Sequence, residues 1–513
     1  MHPSIHARRT PDKPAYIMTG SGEVVTYRQL DDRSNQVARH LRALGLKAGD
    51  TIALFMDNSP RYLEIVWGAH RAGLIYTAIP FRSTAEEAAY ILNDSGARLA
   101  VVSASKALLG DDLKQLAPNV ALWAAVDGAI DGMSSWEAGT RSMPARRIED
   151  EKAGGDMLYS SGTTGRPKGI RNEPVGDDIE TPPVLLHSTQ KIYGFDEGTV
   201  YLSTAPLYHA GPLRVAMVIH RLGGTVIFME HFDAEQALAA IDRHRVTHSQ
   251  WVPTMFVRLL KLPPEVRARY DVSSLRVAIH GAAPCAVPVK EQMIDWWGPV
   301  LYEYYTGTEC NGYTSCDSAE WLARKGTVGR ATLGELRILG ENGDVLPAGE
   351  PGTIYFADGP SFEYHNDPVK TAESRSAEGW TTLGDIGYVD GEGWLFLTDR
   401  KAHTLISGGV NLYPQETENV LITHPKVADV AVIGVPHDDL GEEMKAVVQL
   451  VDPAEAGPVL ARELIAFCRE RLSPLKCPKS VDFEPNLPRQ PTGKLYKRLI
   501  RDRYWQGRSS RII

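Results

Sequence analysis

The sequence predicts an α/β protein: a large N-terminal domain of helix-covered sheets, a small β-rich subdomain, and a C-terminal α+β unit. In the N-terminal half, short apolar runs alternate with amphipathic helical periods, the pattern of parallel strands joined by crossover helices. From about residue 326, short strand-like runs with Gly-Asp and Asp-Gly turns replace that alternation. After Asp399-Arg400 the rhythm changes again, and a stretch of roughly 110 residues is long enough to fold as its own unit. The expected division is therefore 1–399 and 400–513.

The elements follow in order. Thr26 with Gln29 three residues on forms a capping box, and Leu30, Val37, Ala38, Leu41 and Leu44 recur at helical spacing before Gly45 at the C′ position. The run 51–55 reads as a buried strand, and Ser59-Pro60 opens a helix through Trp67 that Gly73 ends. Strands are expected around 99–103, 225–229, 246–252 and 275–280, then 334–339, 352–356 and 394–397 in the β-rich part. The C-terminal unit reads as helix 414–423, strands 427–433 and 444–451, helix 461–472 and strand 479–483. The chain has no internal repeat and no low-complexity tract.

Composition narrows the function. The chain has 513 residues, 55 Lys+Arg and 64 Asp+Glu, for a formal charge of −9, and 43% of it is hydrophobic. Binding to nucleic acid draws on clustered basic charge, so this balance argues against nucleic acid as the main partner. The 5 cysteines, at 285, 310, 316, 468 and 477, are odd in number and lack CxxC spacing, which disfavours a disulfide framework or zinc ribbon and suits a reducing compartment. No apolar run reaches the length of a membrane span, and the opening MHPSIHARRTPDKPAY lacks the apolar stretch of a signal peptide. The expectation is a soluble, cytoplasmic enzyme, with a homodimer left open.

The sharpest segment is Tyr159-Ser160-Ser161-Gly162-Thr163-Thr164-Gly165-Arg166-Pro167-Lys168-Gly169. Glycines let backbone approach an anion, hydroxyls donate to phosphate oxygens, and Lys168 supplies a point charge. It is not a Walker A loop, because that pattern from Gly162 needs glycine where Pro167 stands. A phosphate-binding loop is the reading, against the commoner polar surface turn.

Here the chain resembles the acyl-adenylate-forming superfamily, which includes acyl-CoA synthetases, luciferases and the adenylation domains of peptide synthetases. The resemblance runs from about Thr26 to about Arg501, with several motifs in the family's order. Tyr305-Thr306-Gly307-Thr308-Glu309 resembles the aromatic-Gly-x-Thr-Glu segment, with Thr306 where glycine is usual. It implies that an aromatic ring stacks on adenine, Thr308 bonds the α-phosphate, and Glu309, with Thr164, holds Mg²⁺. Glu303 and Tyr304, immediately upstream, join the implied nucleotide contacts, as does Thr306. Gly281-Ala282-Ala283-Pro284 resembles the loop lining the adenine and acyl sites, Asp385 the aspartate that grips the ribose hydroxyls, and Arg400 the arginine at ribose and phosphate. Taken singly, a Thr-Glu pair is commonly a helix start, a Gly-Asp a turn and an Asp-Arg a surface pair; their ordered recurrence carries the assignment.

In the C-terminal unit, Gly408 and Gly409 of Ser407-Gly408-Gly409-Val410-Asn411 resemble the loop that enters the site when the thiol attacks. Lys494 of Pro491-Thr492-Gly493-Lys494 resembles the adenylation lysine, which would span the attacking carboxylate and the α-phosphate. The implied hinge falls at Ala402, with His403 beside it, and makes the C-terminal unit a mobile lid. His244 and His248 lie at i, i+4 with no further ligand, Cys285 and Cys316 read as packed thiols, and the eight basic residues of 489–511 read mainly as a solvated face.

The resemblance implies an ATP-dependent acyl-CoA ligase that activates a hydrophobic carboxylic acid through an acyl-adenylate and then forms the thioester with coenzyme A. ATP, Mg²⁺ and coenzyme A are the implied cofactors. Tyr208-His209-Ala210, Trp251 to Met255 and Ala283 to Cys285 resemble the acyl-pocket walls, where His209 either gates or orients the carboxylate or simply packs. Fatty, aryl and steroid side-chain acids all fit. Two alternatives are transfer to a carrier protein and a catalytically inactive nucleotide sensor, the latter disfavoured by the presence of Lys494 and Glu309.

Overall fold

The computed structural model describes residues 1–160, 167–172, 176–400, 405–407, 410–437, 441–489 and 495–506. Its central layer is a nine-stranded sheet. Pro14–Met18, Thr225–Phe228, Val200–Ser203, His248–Trp251, Val277–His280 and Leu301–Tyr305 run parallel in that spatial order, flanked by antiparallel edge strands. A second, six-stranded parallel sheet centres on Ala97–Ser103 and Thr51–Phe55, and the latter is buried along its whole length. Strands buried on both faces read as unbroken apolar runs, which is why they were legible. The expected β-rich part is a four-stranded antiparallel sheet of Glu335–Leu339, Gly352–Ala357, Thr381–Val389 and Leu395–Arg400.

Local chemistry fixes the early helices. Thr26 and Gln29 form the reciprocal capping box of helix Tyr27–Ala43, and Gly45 takes a φ of 80° just beyond it. Helix Arg61–Arg71 crosses that helix at Gly68, where a Cβ would lie 2.2 Å from Val37 Cγ1. Only glycine admits the two backbones at that separation.

In the C-terminal unit, helix Pro414–Leu421 and the later helix and strand stand close to where they are expected. The strand expected at 427–433 extends to His437 and pairs antiparallel with Gly441–Leu450. Pro436 is accommodated in it because this strand lies at the edge of its sheet, where a missing N–H breaks no second ladder.

The core contains several neutral histidines. Trp67 Nε1 donates to His220 Nδ1 at 3.2 Å, and His220 Nε2 lies 3.1 Å from the Ala15 carbonyl, so the ring holds a single proton on Nε2. Burial pushes His220 down to about 3, and it lowers His70 and His280 well below the ordinary value of 6.5. Folded-state values below the unfolded one give stability that is complete above pH 6.5 and falls as pH drops through the window beneath it. Each such ring removes about 1.4 kcal/mol per pH unit there. The urea midpoint should therefore fall clearly between pH 7 and pH 5; an unchanged midpoint would contradict the neutral-histidine core.

Candidate active site

The site lies at the carboxyl ends of the central parallel strands, where their loops converge on a cleft of about 1500 Å³. Strands Leu158–Ser160 and Lys168–Asn172 pair antiparallel with Ser160 opposite Lys168, so the expected phosphate loop is pinned at its base. Residues Ser161, Gly162, Thr163, Thr164 and Gly165 lie outside the described residues. Strand Phe362–Tyr364 pairs on the other side of Lys168–Asn172. The Lys168 ammonium sits 5.0 Å from the centre of the Tyr364 ring, and Tyr364 Oη donates to Glu309 Oε1 at 3.0 Å. Burial, assisted by Lys370, lowers the pKa of Lys168.

The Thr308-Glu309 loop is built by its neighbours. Glu309 folds over Gly307 so closely that a Cβ there would lie 2.5 Å from Oε2. Thr306, the departure from the family pattern, earns its place by donating from Oγ1 to the Gly312 carbonyl at 2.6 Å, closing the turn. Tyr305 Oη donates to Asp385 Oδ2 at 2.8 Å, which joins the expected adenine and ribose contacts. Arg400 stands opposite Asp385 in the strand register. Ala282, beside Gly281 and Ala283, and Cys310, beside Glu309, both hold positive φ, 68° and 52°. For non-glycine residues this is strained backbone, concentrated where the loops meet the cleft.

One residue escaped the sequence reading. Arg214, in the apolar helix Ala210–Leu222, makes a bidentate pair with Asp156 through Nε and Nη2, both at 2.8 Å. Its Nη1 donates to the Thr308 carbonyl at 2.9 Å and to Cys310 Sγ at 3.0 Å. The Asn172 amide, oriented by these partners, accepts from Arg214 Nη2 at 3.1 Å and donates to the Glu309 carbonyl at 2.9 Å. Burial opposes the charge, but Asp156 outweighs it and the arginine's pKa rises. One guanidinium thus holds Asp156, two residues ahead of strand Leu158–Ser160, the strand leaving the expected phosphate loop, and the Thr308-Glu309 backbone. The available signal was a charge on an apolar helix face one turn past His209.

The two faces of strand Leu301–Tyr305 differ. Glu303 accepts from the fully buried Lys290 Nζ at 2.7 Å, with His280 Nε2 at 3.7 Å, so its carboxylate is already engaged by protein. On the opposite face, Gln250 Nε2 donates to Tyr304 Oη at 3.1 Å. His209 caps helix Ala210–Leu222, its ring 4.2 Å from that of Tyr208. Lys494, Gly408 and Gly409, with the hinge pair Ala402-His403, lie outside the described residues. Tyr496, two residues past Lys494, lines the cleft with Lys497; burial raises the Tyr208 hydroxyl's pKa and Tyr496 adds to the rise. Lys261 Nζ donates to the Val427 carbonyl, tying the C-terminal unit to the main body. Among the described residues there is no cluster of three or more metal-ligating side chains; His248 Nε2 instead pairs with the Tyr193 carbonyl. Burial pushes the Cys316 thiol up to about 12 and raises Cys285 too, so neither is an activated nucleophile.

Residues 4–362 match the AMP-binding enzyme family, and residues 416–494 match the AMP-binding enzyme C-terminal domain. The chain belongs to this family. A long-chain-fatty-acid–CoA ligase, FadD13 of Mycobacterium tuberculosis, is 31% identical over 96% of each chain. A Rhodococcus jostii ligase named for 3-[(3aS,4S,7aS)-7a-methyl-1,5-dioxo-octahydro-1H-inden-4-yl]propanoyl:CoA is 32% identical over 98% of each. The ATP-bound crystal structure of MatB from Rhodopseudomonas palustris superposes with a TM-score of 0.80, at 28% identity and over 99% of both chains. No helix among the described residues is long and apolar enough to cross a membrane.

Replacing Arg214 by lysine keeps the charge and removes the fork. We expect Arg214→Lys to lower kcat/KM for ATP by about 10- to 100-fold and to raise the half-saturating Mg²⁺ concentration, because the Thr308-Glu309 loop loses its register. A purely structural arginine would lower the melting temperature and leave the Mg²⁺ dependence where it was.

Proposed function

We propose that this family member is an AMP-forming acid–thiol ligase that couples a hydrophobic carboxylic acid to coenzyme A in two steps at one site. The observation that carries the reading is the convergence of Lys168, Thr308, Glu309, Tyr305 and Asp385 on a single cleft. That cleft continues along Tyr208, His209, Val215 and Ala283 and is closed by C-terminal residues such as Tyr496. Relatives named for a fatty acid and for a fused-ring propanoic acid support a hydrophobic acid.

In the first step a carboxylate oxygen attacks the α-phosphorus of ATP, the α–β bridging bond breaks, and pyrophosphate leaves. The acid is already ionised at neutral pH, so no protein base is required. Thr308 bonds the α-phosphate, Asp385 and Arg400 orient the ribose, and the loop 161–166 with Lys168 cradles the outer phosphates. Lys494 places its charge between nucleophile and α-phosphate, where negative charge builds. Glu309, a hard oxygen donor facing Lys168 across Tyr364, fits Mg²⁺, with Thr164 as a second ligand. Bound there, the ion neutralises phosphate charge. In the second step the C-terminal unit turns, Lys494 withdraws, and Gly408-Gly409 line the path of the thiol. The sulfur attacks the acyl carbonyl and AMP departs with the bonding pair.

With ATP and Mg²⁺, the protein should release pyrophosphate on addition of an acid, and coenzyme A should convert that release into steady turnover with acyl-CoA formed. A single burst that coenzyme A cannot extend would transfer the acceptor role to another thiol. Lys494→Ala should lose adenylation by several hundredfold or more, on the order of 3–4 kcal/mol of barrier, yet still convert preformed acyl-adenylate. Gly409→Leu should do the reverse. Loss of both half-reactions in Lys494→Ala would contradict the exchange of lids.

A further inference from the structure

The acyl side of the cleft ends in hydrogen-bonding groups. Gln250 lies opposite Ile279, and Ile279 opposite Tyr302, in adjacent parallel strands, so these three share a face with Tyr304, two residues further on. Gln250 is held at both ends of its amide: Oε1 accepts from Tyr201 Oη at 2.8 Å and Nε2 donates to Tyr304 Oη at 3.1 Å. The Tyr304 ring stacks on Tyr313 with centroids 5.4 Å apart and planes 5° from parallel. Tyr313 Oη meets Tyr193 Oη at 2.6 Å. Gln250, Tyr304, Tyr313 and Tyr193 all line the cleft.

This layer is tightly backed. A Cβ at Gly211, on the helix that forms the acyl wall, would lie 2.9 Å from Gln250 Nε2. A Cβ at Gly281, on the loop across from it, would lie 2.7 Å from Tyr304 Cε1. Backbone therefore closes on the Tyr304–Gln250 pair from both sides. An extended chain gains about 0.8 kcal/mol for each methylene taken from water, but only where it meets apolar surface. Here its end would meet an amide and three phenols. The outer face of the stacked tyrosine pair instead offers a flat surface suited to a ring. Tyr304 Oη accepts from Gln250, which leaves the phenol's own proton for an acceptor on the substrate.

We propose that this floor selects a compact, ring-bearing acid with an oxygen acceptor at the end remote from its carboxylate, and that Tyr304 is the residue that reads that oxygen. The inference rests on the ligase reading and narrows its substrate class.

The test measures ATP–pyrophosphate exchange on the full-length protein with three acids: 3-(4-oxocyclohexyl)propanoate, 3-cyclohexylpropanoate and hexadecanoate. The keto acid should exceed each of the others by at least about tenfold in kcat/KM, since a site built to donate to an oxygen rejects the analogue lacking it. Tyr304→Phe, which keeps the ring and its stacking, should bring the keto-to-deoxy ratio close to one. Gln250→Leu, which loosens the phenol without removing it, should lower that ratio only in part. Preference for hexadecanoate, or a ratio unchanged in Tyr304→Phe, would overturn the inference while leaving the ligase reading intact. Exchange with none of the acids would overturn both.

Discussion

The site depends on the ion pair between Arg214 and Asp156. A guanidinium placed in an apolar helix must be fully paired, because an unmatched charge at that depth costs several kcal/mol. The pairing it finds is distributed over three segments distant in sequence: Asp156 and Asn172 on either side of the phosphate loop, and the Thr308 carbonyl beside Glu309. The same helix begins at His209, which also lines the cleft. Whatever displaces one of these segments must break charge-assisted hydrogen bonds to the others. Asp156, Asn172 and the Thr308-Glu309 backbone are thereby tied together by one side chain.

The topology explains why these segments meet. Strands His248–Trp251, Val277–His280 and Leu301–Tyr305 are adjacent and parallel, so their carboxyl ends open together. The loops that follow carry Val252 to Thr254, Gly281 to Pro284, and Thr306 to Glu309 respectively, all of which line the cleft apart from Gly281, packed behind it against Tyr304. Ligand sites in parallel sheets form at such ends. The alternating faces of the last strand take different partners: Tyr305 reaches Asp385, while Tyr304 turns to Gln250. Positive φ at Ala282 and Cys310 marks where the loops are bent most sharply to meet.

Much of this was legible in the chain, and the rest was not for a definite reason. The Thr26–Gln29 capping box and the buried strands are local signals, read within a few residues. Motif order located Thr308, Glu309 and Asp385 because each sits in a short distinctive segment. Arg214 and Lys290 act through partners in other elements, Asp156 and Glu303 in turn; a charge on an apolar helix face hints that Arg214 is paired, but nothing local names the partner of either residue. Glu303, grouped with the nucleotide contacts from its neighbourhood, has its carboxylate on Lys290. Strand 427–437 ran past its expected end because an edge position tolerates proline, and edge status is a property of the sheet.

The central claim is that one cleft makes an acyl-adenylate and then consumes it. Rapid-quench analysis with ATP labelled at the α-phosphate follows that intermediate directly. Without coenzyme A, labelled acyl-adenylate should build up on the enzyme to no more than one equivalent per chain. Addition of coenzyme A should clear it within a turnover, giving equal amounts of AMP and acyl-CoA. Acyl-CoA formed with no adenylate at any time, or adenylate that persists when coenzyme A is added, would contradict the account.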